Sequence, residues 1–213
     1  MRFSAEEIAE AADALGFRRD SLEKVARLVS LLERLRTSSF LRSRVALEDP
    51  HELAAGKLAA LCARRASRDC FDARELLRRR DLDREKLRLG FVIYGGINRV
   101  DWRAVTVDAI GVDTHEVRRE LVPMLRAEAR PSEDELAIWI EALVRETREL
   151  MSLVLPLAPH ELEFLERLNG QGEIAPELLT DDVELQDRLR AHPGLLWKAH
   201  NVRSHVQNQG GTP

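Results

Sequence analysis

The chain has 213 residues, of which 44% are apolar and 33% are charged. This composition argues against intrinsic disorder and is typical of a helix-rich protein long enough for one large domain or two small ones. The 33 basic and 37 acidic residues give a net charge of −4. Because proteins that bind nucleic acid over their whole surface are usually basic, any such contact must come from a local patch.

The sequence gives no sign of export or membrane insertion. No apolar run approaches the roughly 20 residues that a membrane-spanning helix needs, and the opening residues MRFSAEEIAE do not form a signal peptide. The cysteines Cys62 and Cys70 have neither metal-binding nor redox spacing, so we expect buried thiols. We therefore expect a cytoplasmic protein that has no membrane partner.

Two amphipathic helices are predicted at the N-terminus. Ser4 and Glu7, three residues apart, form a capping box before a helix that Gly16 ends, and a second helix follows. Residues 37–47 lose the helical period and finish with Arg44–Leu47, whose sequence RVAL resembles the start of a strand. No partner strand is predicted near this segment.

The rest of the chain predicts helices. Asp49 is suited to be an N-cap and Pro50 to occupy the first helical position. The predicted helices cover residues 50–64, 68–80, 83–94, 114–127, 132–155, about 159–169, 181–191 and 193–201. Phe91–Tyr94 is open to a second interpretation, a buried strand, because four residues do not define a period. Gly95 and Gly96 predict a turn.

Lys57 is the first candidate for a functional site. On a helix that starts at Pro50, it lies between Leu53 and Leu61 on a stripe that should face inward. One interpretation is that its stem is buried while the ammonium reaches water. The other is that the ammonium points into a cleft and contacts a phosphate as a point charge.

Asp69 and Asp72 lie three residues apart on a helix that Ser67 is expected to cap. Acidic residues in a first turn offset the helix dipole, and Asp72 could pair with Arg65 or Arg68, so a structural explanation exists. The functional alternative is that one of the carboxylates orients a nucleotide, holds a metal or acts as a base.

Arginines surround these carboxylates. Arg64, Arg65 and Arg68 are predicted to bind a nucleotide or phosphate. Further arginines follow at positions Arg78, Arg79, Arg80, Arg84 and Arg88. They form either a solvated face that nearby acids partly neutralise or a basic groove for a polynucleotide backbone.

No metal site is predicted. Asp81 and Asp83 have the Asp-x-Asp spacing of a two-metal site, but they lie between two predicted helices, where capping is the simpler role. The six histidines are scattered without the spacing of metal ligands.

Three blocks of the chain carry a resemblance to a known family. They are LGFRRDSLEKVARLVSLLERL followed by FLRSRVAL, then DPHELAAGKLAALCARRASRDCFDARELL, and finally ELEFLERLNGQGEIAPELLTDDVELQDRLRAHPGLLWKAHNVRSH. In this order they resemble the opening helices and first core strand, the lysine and Arg-Asp-x-x-Asp motifs, and the C-terminal helical segment of the AbiEii/AbiGii nucleotidyltransferase toxin family. Family members are the enzymes of certain bacterial toxin–antitoxin and phage-defence pairs.

The resemblance implies a fold, a reaction and partners. The fold would be mainly α, a helical bundle of the family's C-terminal type with the N-terminal helices packed on it. The family reaction is Mg²⁺-dependent transfer of NMP from an NTP to an RNA or protein acceptor, and an antitoxin is the cognate partner. Lys57, Asp69 and Asp72 match the family's second-half catalytic positions.

The chain departs from the family at one place. Family members follow the Val-Ala-Leu strand with a lysine-glycine-glycine-threonine turn and a strand that carries the metal-binding Asp-x-Asp, whereas here Leu47 runs directly into Glu48. We therefore predict N-terminal helices with a vestigial core strand over 1–47, a helical domain over 48–206 and a disordered tail over 207–213.

This missing segment sets the functional expectation. Nucleotidyl transfer needs Mg²⁺ held by carboxylates, so the chain alone is expected to be inactive and to carry vestigial site residues. Two alternatives stay open. The missing half could be supplied in trans, or the chain could be a non-catalytic binding module for an antitoxin or for RNA.

Overall fold

A computed structural model describes residues 4–37, 49–78 and 82–210. Within these ranges the chain is helical and contains no strand, which confirms the mainly α class. The predicted strand opening at Arg44–Leu47 and the residues 79–81 lie outside the described ranges. No described helix is both long enough and apolar enough to span a membrane.

The longer helices are numbered in chain order as α1 Ala5–Leu15, α2 Arg19–Thr37, α3 Pro50–Arg64, α4 Ser67–Leu77, α5 Arg84–Ile97, α6 Leu136–Met151, α7 Pro159–Gln171, α8 Val183–Arg190 and α9 Pro193–Gly210. Shorter helical segments lie at Trp102–Ala104, Val107–Ala109, Thr114–Glu116, Val117–Leu121, Val122–Met124, Ala127–Ala129 and Pro176–Leu178.

The N-terminal hairpin begins with the predicted capping box. Ser4 Oγ accepts the Glu7 N–H at 3.1 Å, and Glu7 Oε2 accepts the Ser4 N–H at 2.7 Å. Gly16 ends α1 with φ 66°, a left-handed conformation that favours glycine. Its carbonyl accepts the N–H of Ala127 at 3.0 Å, which attaches the hairpin to the segment before α6.

Helix α5 lies at the centre of the molecule, against α3, α7 and α9. Asp83 caps it by accepting the N–H groups of Glu85 and Lys86 at 2.9 and 3.1 Å, so the capping role predicted for this residue is confirmed. The largest fully buried side chains of the core are Trp102, Phe91, Phe164, Leu58, Leu61, Leu87, Leu143, Met151, Leu155, Leu165, Leu168 and Leu195.

Helix α5 confirms one local prediction and contradicts another. Phe91–Tyr94 is helical, as the helix predicted over 83–94 requires, so the alternative of a buried strand is wrong. Gly95 and Gly96 lie in the last turns of the same helix rather than in the predicted turn. The physical reason is a close approach from outside the helix. A Cβ at Gly95 would overlap the indole of Trp102, and one at Gly96 would lie 2.9 Å from Leu168 Cδ2.

Helix boundaries also differ from the prediction elsewhere. In place of the helix expected over 114–127 the structure has three short segments, Thr114–Glu116, Val117–Leu121 and Val122–Met124. The helix expected over 132–155 begins at Leu136 and ends at Met151, although Ser132 Oγ does donate to Glu135 Oε2 at 2.7 Å. Helix α9 runs through Gly210, so four residues of the predicted tail are helical.

Candidate functional site

Lys57 and Asp72, both predicted from the sequence, lie side by side. Lys57 is on α3 and Asp72 on α4, and Lys57 Nζ donates to Asp72 Oδ2 at 2.8 Å. Each side chain is 42% exposed, so the pair faces solvent. Because exposed ion pairs contribute only about 0–1 kcal/mol to stability, this pair can open at little cost when a ligand competes for the lysine.

Helix α3 turns a different face to the core than its pattern predicts. Leu61 is 1% exposed, but Leu53 is 49% exposed, so the predicted inward stripe through Lys57 is wrong. The contact with α5 is made instead through small side chains. A Cβ at Gly90 would lie 2.8 Å from the Cβ of Ala55, which shows how closely the two helices approach. Lys57 therefore lies at the border between the core face and solvent.

Asp69 binds a different cation from Asp72. Arg64 Nε and Nη2 lie 3.2 and 3.1 Å from the two carboxylate oxygens of Asp69. The Asp69 side chain is only 8% exposed. This two-pronged contact joins the end of α3 to the first turn of α4 across their short connection. The two aspartates thus pair with different cations, and this arrangement favours a structural role for Asp69.

Ser67 does not cap α4. Ser67 is the first residue of the helix, and the N-cap position before it is occupied by Ala66. Alanine has no polar side chain, so no side-chain cap forms there. The Ser67 N–H and Oγ both donate to Glu116 Oε1 at 3.1 Å. The prediction of a Ser67 cap is therefore wrong. A carboxylate 49 residues away along the chain takes this role, which the local sequence does not reveal.

The remaining arginines of the predicted cluster have different surroundings. Arg65 ends α3 in a left-handed conformation with φ 55°. It lines a cavity of about 230 Å³ together with Cys62. Arg68 is exposed, and within the described residues it has no ion-pair partner. Because Arg68 and Asp72 are four residues apart on α4, the two residues share one face of the helix.

The described part of the later arginine-rich stretch ties helices together. Arg78 pairs with Glu146 on α6, and Arg84 Nε donates to a backbone carbonyl at 3.3 Å. Arg88 forms a two-pronged ion pair with Glu161 on α7. These contacts occupy the described guanidinium groups within the protein, so they do not support the alternative of a basic groove.

The described side chains do not fit a magnesium ion. Magnesium prefers six oxygen ligands in octahedral geometry, commonly including carboxylates. Asp69 and Asp72 are each paired with a cation. Within residues 4–37, 49–78 and 82–210, no group of three His, Cys, Asp or Glu side chains is placed to hold a metal ion.

Both cysteine thiols are stabilised in their neutral form. Cys70 is fully buried and donates to Thr147 Oγ1 at 3.4 Å. Cys62 is partly buried, and burial raises the pKa of its thiol to about 12. Because the thiolate is the reactive form, these environments disfavour nucleophilic and redox roles.

A second cleft was not predicted from the sequence. It lies where the end of α5, the end of α7 and one face of α9 meet, and its lining includes Arg99, Asn169, Trp197, Lys198 and Asn201. The sequence placed Trp197, Lys198 and Asn201 in the family-like C-terminal block without giving them a role. The sequence feature that could have indicated the cleft is the spacing of Trp197 and Asn201, an aromatic and a polar residue four positions apart on one face of a helix.

No family model, curated protein or solved structure matches the chain. The AbiEii/AbiGii resemblance therefore stays a prediction that depends on the three sequence blocks.

Proposed function

We propose that this chain is the helical half of an AbiEii/AbiGii-type nucleotidyltransferase, and that alone it binds a phosphate-bearing ligand at Lys57 without transferring a nucleotide. The observation that supports this proposal is the 2.8 Å contact between Lys57 Nζ and Asp72 Oδ2 at a solvent-facing position. A carboxylate keeps the lysine oriented until a phosphate competes for its ammonium. Arg68, one turn before Asp72, supplies a second cation.

The same geometry explains why transfer is not expected from the chain alone. The family reaction joins NMP from an NTP to an RNA or protein acceptor, and a metal must neutralise the triphosphate. Among the described residues, Asp69 and Asp72 pair with different cations, and no group of three His, Cys, Asp or Glu side chains is placed to hold a metal ion. The described residues therefore supply cations for a phosphate but no such group for the metal.

The direct test is incubation of the chain with labelled NTP, Mg²⁺ and RNA or protein acceptors. We expect no incorporation of label. Incorporation that Asp72→Ala abolishes would overturn the proposal. Calorimetric titration with NTP measures binding separately. We expect Lys57→Ala and Arg68→Ala to weaken it, whereas Arg188→Ala, which removes an exposed arginine on α8, should have no effect.

Complementation in trans is tested by mixing the chain with a homologue that contains the missing segment, the turn and the strand with the metal-binding Asp-x-Asp. If the chain contributes its Lys57 site to such a partner, transfer activity should rise with added chain, and Lys57→Ala should prevent the rise. No change on mixing would exclude complementation by that homologue.

A second candidate function is a non-catalytic binding module for a protein such as an antitoxin. The observation that favours it is a row of exposed apolar side chains on α2: Val25, Leu28 and Leu32 are 54%, 55% and 40% exposed. They are spaced by three and four residues and so share one face, and such patches commonly mark protein contacts. Co-elution with an antitoxin encoded beside the chain, lost in Leu28→Ser but kept in the control Leu196→Ser, would support this function.

A further inference from the structure

The cleft between α5, α7 and α9 has a volume of about 280 Å³. Its α9 wall consists of residues spaced by one helical turn, including Trp197, Asn201 and His205. The lining also includes Arg99, just after α5, and Asn169 near the end of α7. Sites for small ligands start at about 300 Å³, so this cleft is large enough for part of such a ligand.

The charge of the cleft differs from that of the whole chain. The chain carries more acidic than basic residues, yet every charged residue among the described lining is basic. The Arg99 guanidinium has no hydrogen-bond or ion-pair partner within the described residues, unlike Arg78 and Arg88. An arginine at a cleft wall without a carboxylate is suited to bind an anion.

Lys198 adds a second cation at a fixed position. Its Nζ donates to the backbone carbonyl of Asn98 at 2.8 Å, so one of its three N–H groups is used and the ammonium is oriented. Burial lowers the pKa of the Lys198 ammonium, and the charge of Asp101 partly offsets this effect. Arg103 holds the Asp101 carboxylate at 2.9 and 3.0 Å. The positive charge of Lys198 is therefore not neutralised by a direct ion pair.

Trp197 provides an aromatic surface at the same place. The residue is 54% exposed, whereas Trp102 is fully buried. Exposure of the apolar indole ring to water is unfavourable, and the ring offers a flat face on which another ring can stack. Nucleobases stack on such faces regardless of sequence, because every base has a π-face.

Two amide side chains complete the lining. Asn169 and Asn201 each carry donors and acceptors, and neither side chain has a hydrogen-bond partner within the described residues. Amides of this kind recognise the donor and acceptor pattern of a base edge. Two cations, an exposed indole and two amides without a partner among the described residues thus line one cleft.

From this arrangement we propose that the cleft binds a nucleotide unit, with the base stacked on Trp197, an amide at the base edge and the phosphate at Arg99 and Lys198. The unit is either a free nucleotide or one residue of a single-stranded nucleic acid, because both present the same base and phosphate. This inference goes beyond the proposed function, since the cleft shares no residue with the Lys57 site.

The test is fluorescence anisotropy with a labelled single-stranded oligonucleotide, with AMP as competitor, on the full chain and its variants. We expect Trp197→Ala to raise Kd roughly 5- to 150-fold, which corresponds to the loss of one stacked base. Arg99→Ala should raise Kd and reduce the salt dependence by about one phosphate contact. Leu196→Ala on the same helix and Arg188→Ala on α8 are the matched controls and should bind like the unmodified chain.

The outcomes distinguish a free nucleotide from a single-stranded nucleic acid as the ligand of the cleft. Competition by AMP at concentrations near the oligonucleotide Kd supports the free nucleotide, and binding of the oligonucleotide without competition by AMP supports the single strand. No binding of either probe at millimolar concentrations would overturn the proposal. Equal affinities of Trp197→Ala and Leu196→Ala would also overturn it, and so would binding that only Lys57→Ala abolishes. Circular dichroism confirms that each variant is folded.

Discussion

Arg88 and Glu161 join α5 to α7 through two contacts of 2.6 Å, from Arg88 Nε and Nη2 to the two carboxylate oxygens. Glu161 is only 4% exposed, and it also accepts the N–H of Ala158 at 2.6 Å. Arg88 Nη2 further donates to the carbonyl of Pro156 at 2.8 Å. One carboxylate therefore caps α7 and anchors it to the central helix.

We predict that Arg88→Met destabilises the protein by about 3–5 kcal/mol, because it leaves the buried carboxylate of Glu161 without its cation. Urea denaturation followed by circular dichroism measures the loss. The matched control is Arg167→Met, which breaks the exposed pairs of Arg167 with Glu163 on the same helix α7 and with Glu173. Such pairs are worth about 0–1 kcal/mol, so equal losses in the two variants would contradict the assignment.

A comparison of the Arg88–Glu161 pair with the N-terminal cap of α1 shows which contacts the sequence could predict. The Ser4–Glu7 capping box was predictable because the two partners are three residues apart and the motif is local. The partner of Arg88 lies 73 residues away, so the sequence left this arginine on a solvated face or in a basic groove. Helices and those caps whose partners are local were therefore predicted better than the Ser67 cap and the ion pairs that hold the helices together.

We predict that Gly95→Ala destabilises the protein. Alanine is favoured over glycine in a helix by about 1 kcal/mol, but here its Cβ overlaps the indole of Trp102, and overpacking of this kind costs about 1–3 kcal/mol or more. Thermal unfolding measures the change. Gly170→Ala on α7 is the control, since a Cβ there meets no atom within 4 Å and should stabilise the helix. A Gly95→Ala variant as stable as the unmodified chain would contradict the close packing.

The prediction of a turn at Gly95 and Gly96 failed for a related reason. Glycine pairs usually mark turns, and nothing in the local sequence shows that Trp102 and Leu168 approach the helix at these positions. The indole nitrogen of Trp102 is buried without a hydrogen-bond partner among the described residues, which indicates that apolar packing positions this ring.

The two aspartates of the candidate site should respond differently to substitution. We predict that Asp72→Ala costs less than about 1 kcal/mol, because its pair with Lys57 is exposed. Asp69→Ala should cost about 1–3 kcal/mol, because its buried carboxylate makes two hydrogen bonds to Arg64. Chemical denaturation of both variants checks this order, and the reverse order would contradict it. Asp72→Ala then provides a folded variant for the transfer assay.

The candidate site was only partly accessible from the sequence. Lys57 and Asp72 belong to consecutive helices joined by a short connection, so local spacing sufficed to bring them into one hypothesis. The second cleft draws Arg99, Asn169 and Trp197 from three elements nearly 100 residues apart along the chain. Only the packing of α9 against α5 and α7 brings these side chains together.

The burial of Cys62 predicts a loss of stability at alkaline pH. Its thiol has an ordinary pKa of 9.0, and burial raises the pKa to about 12 in the folded protein. Above pH 9.0 the unfolded chain releases this proton while the folded chain keeps it, so the stabilising contribution is complete below 9.0 and falls as the pH rises towards 12. Urea denaturation over this range should show a steeper decline for the unmodified chain than for Cys62→Ala, which retains only the buried thiol of Cys70. Parallel curves would mean that the Cys62 thiol ionises as readily in the folded protein as in the unfolded chain, and that water reaches the cavity beside Arg65.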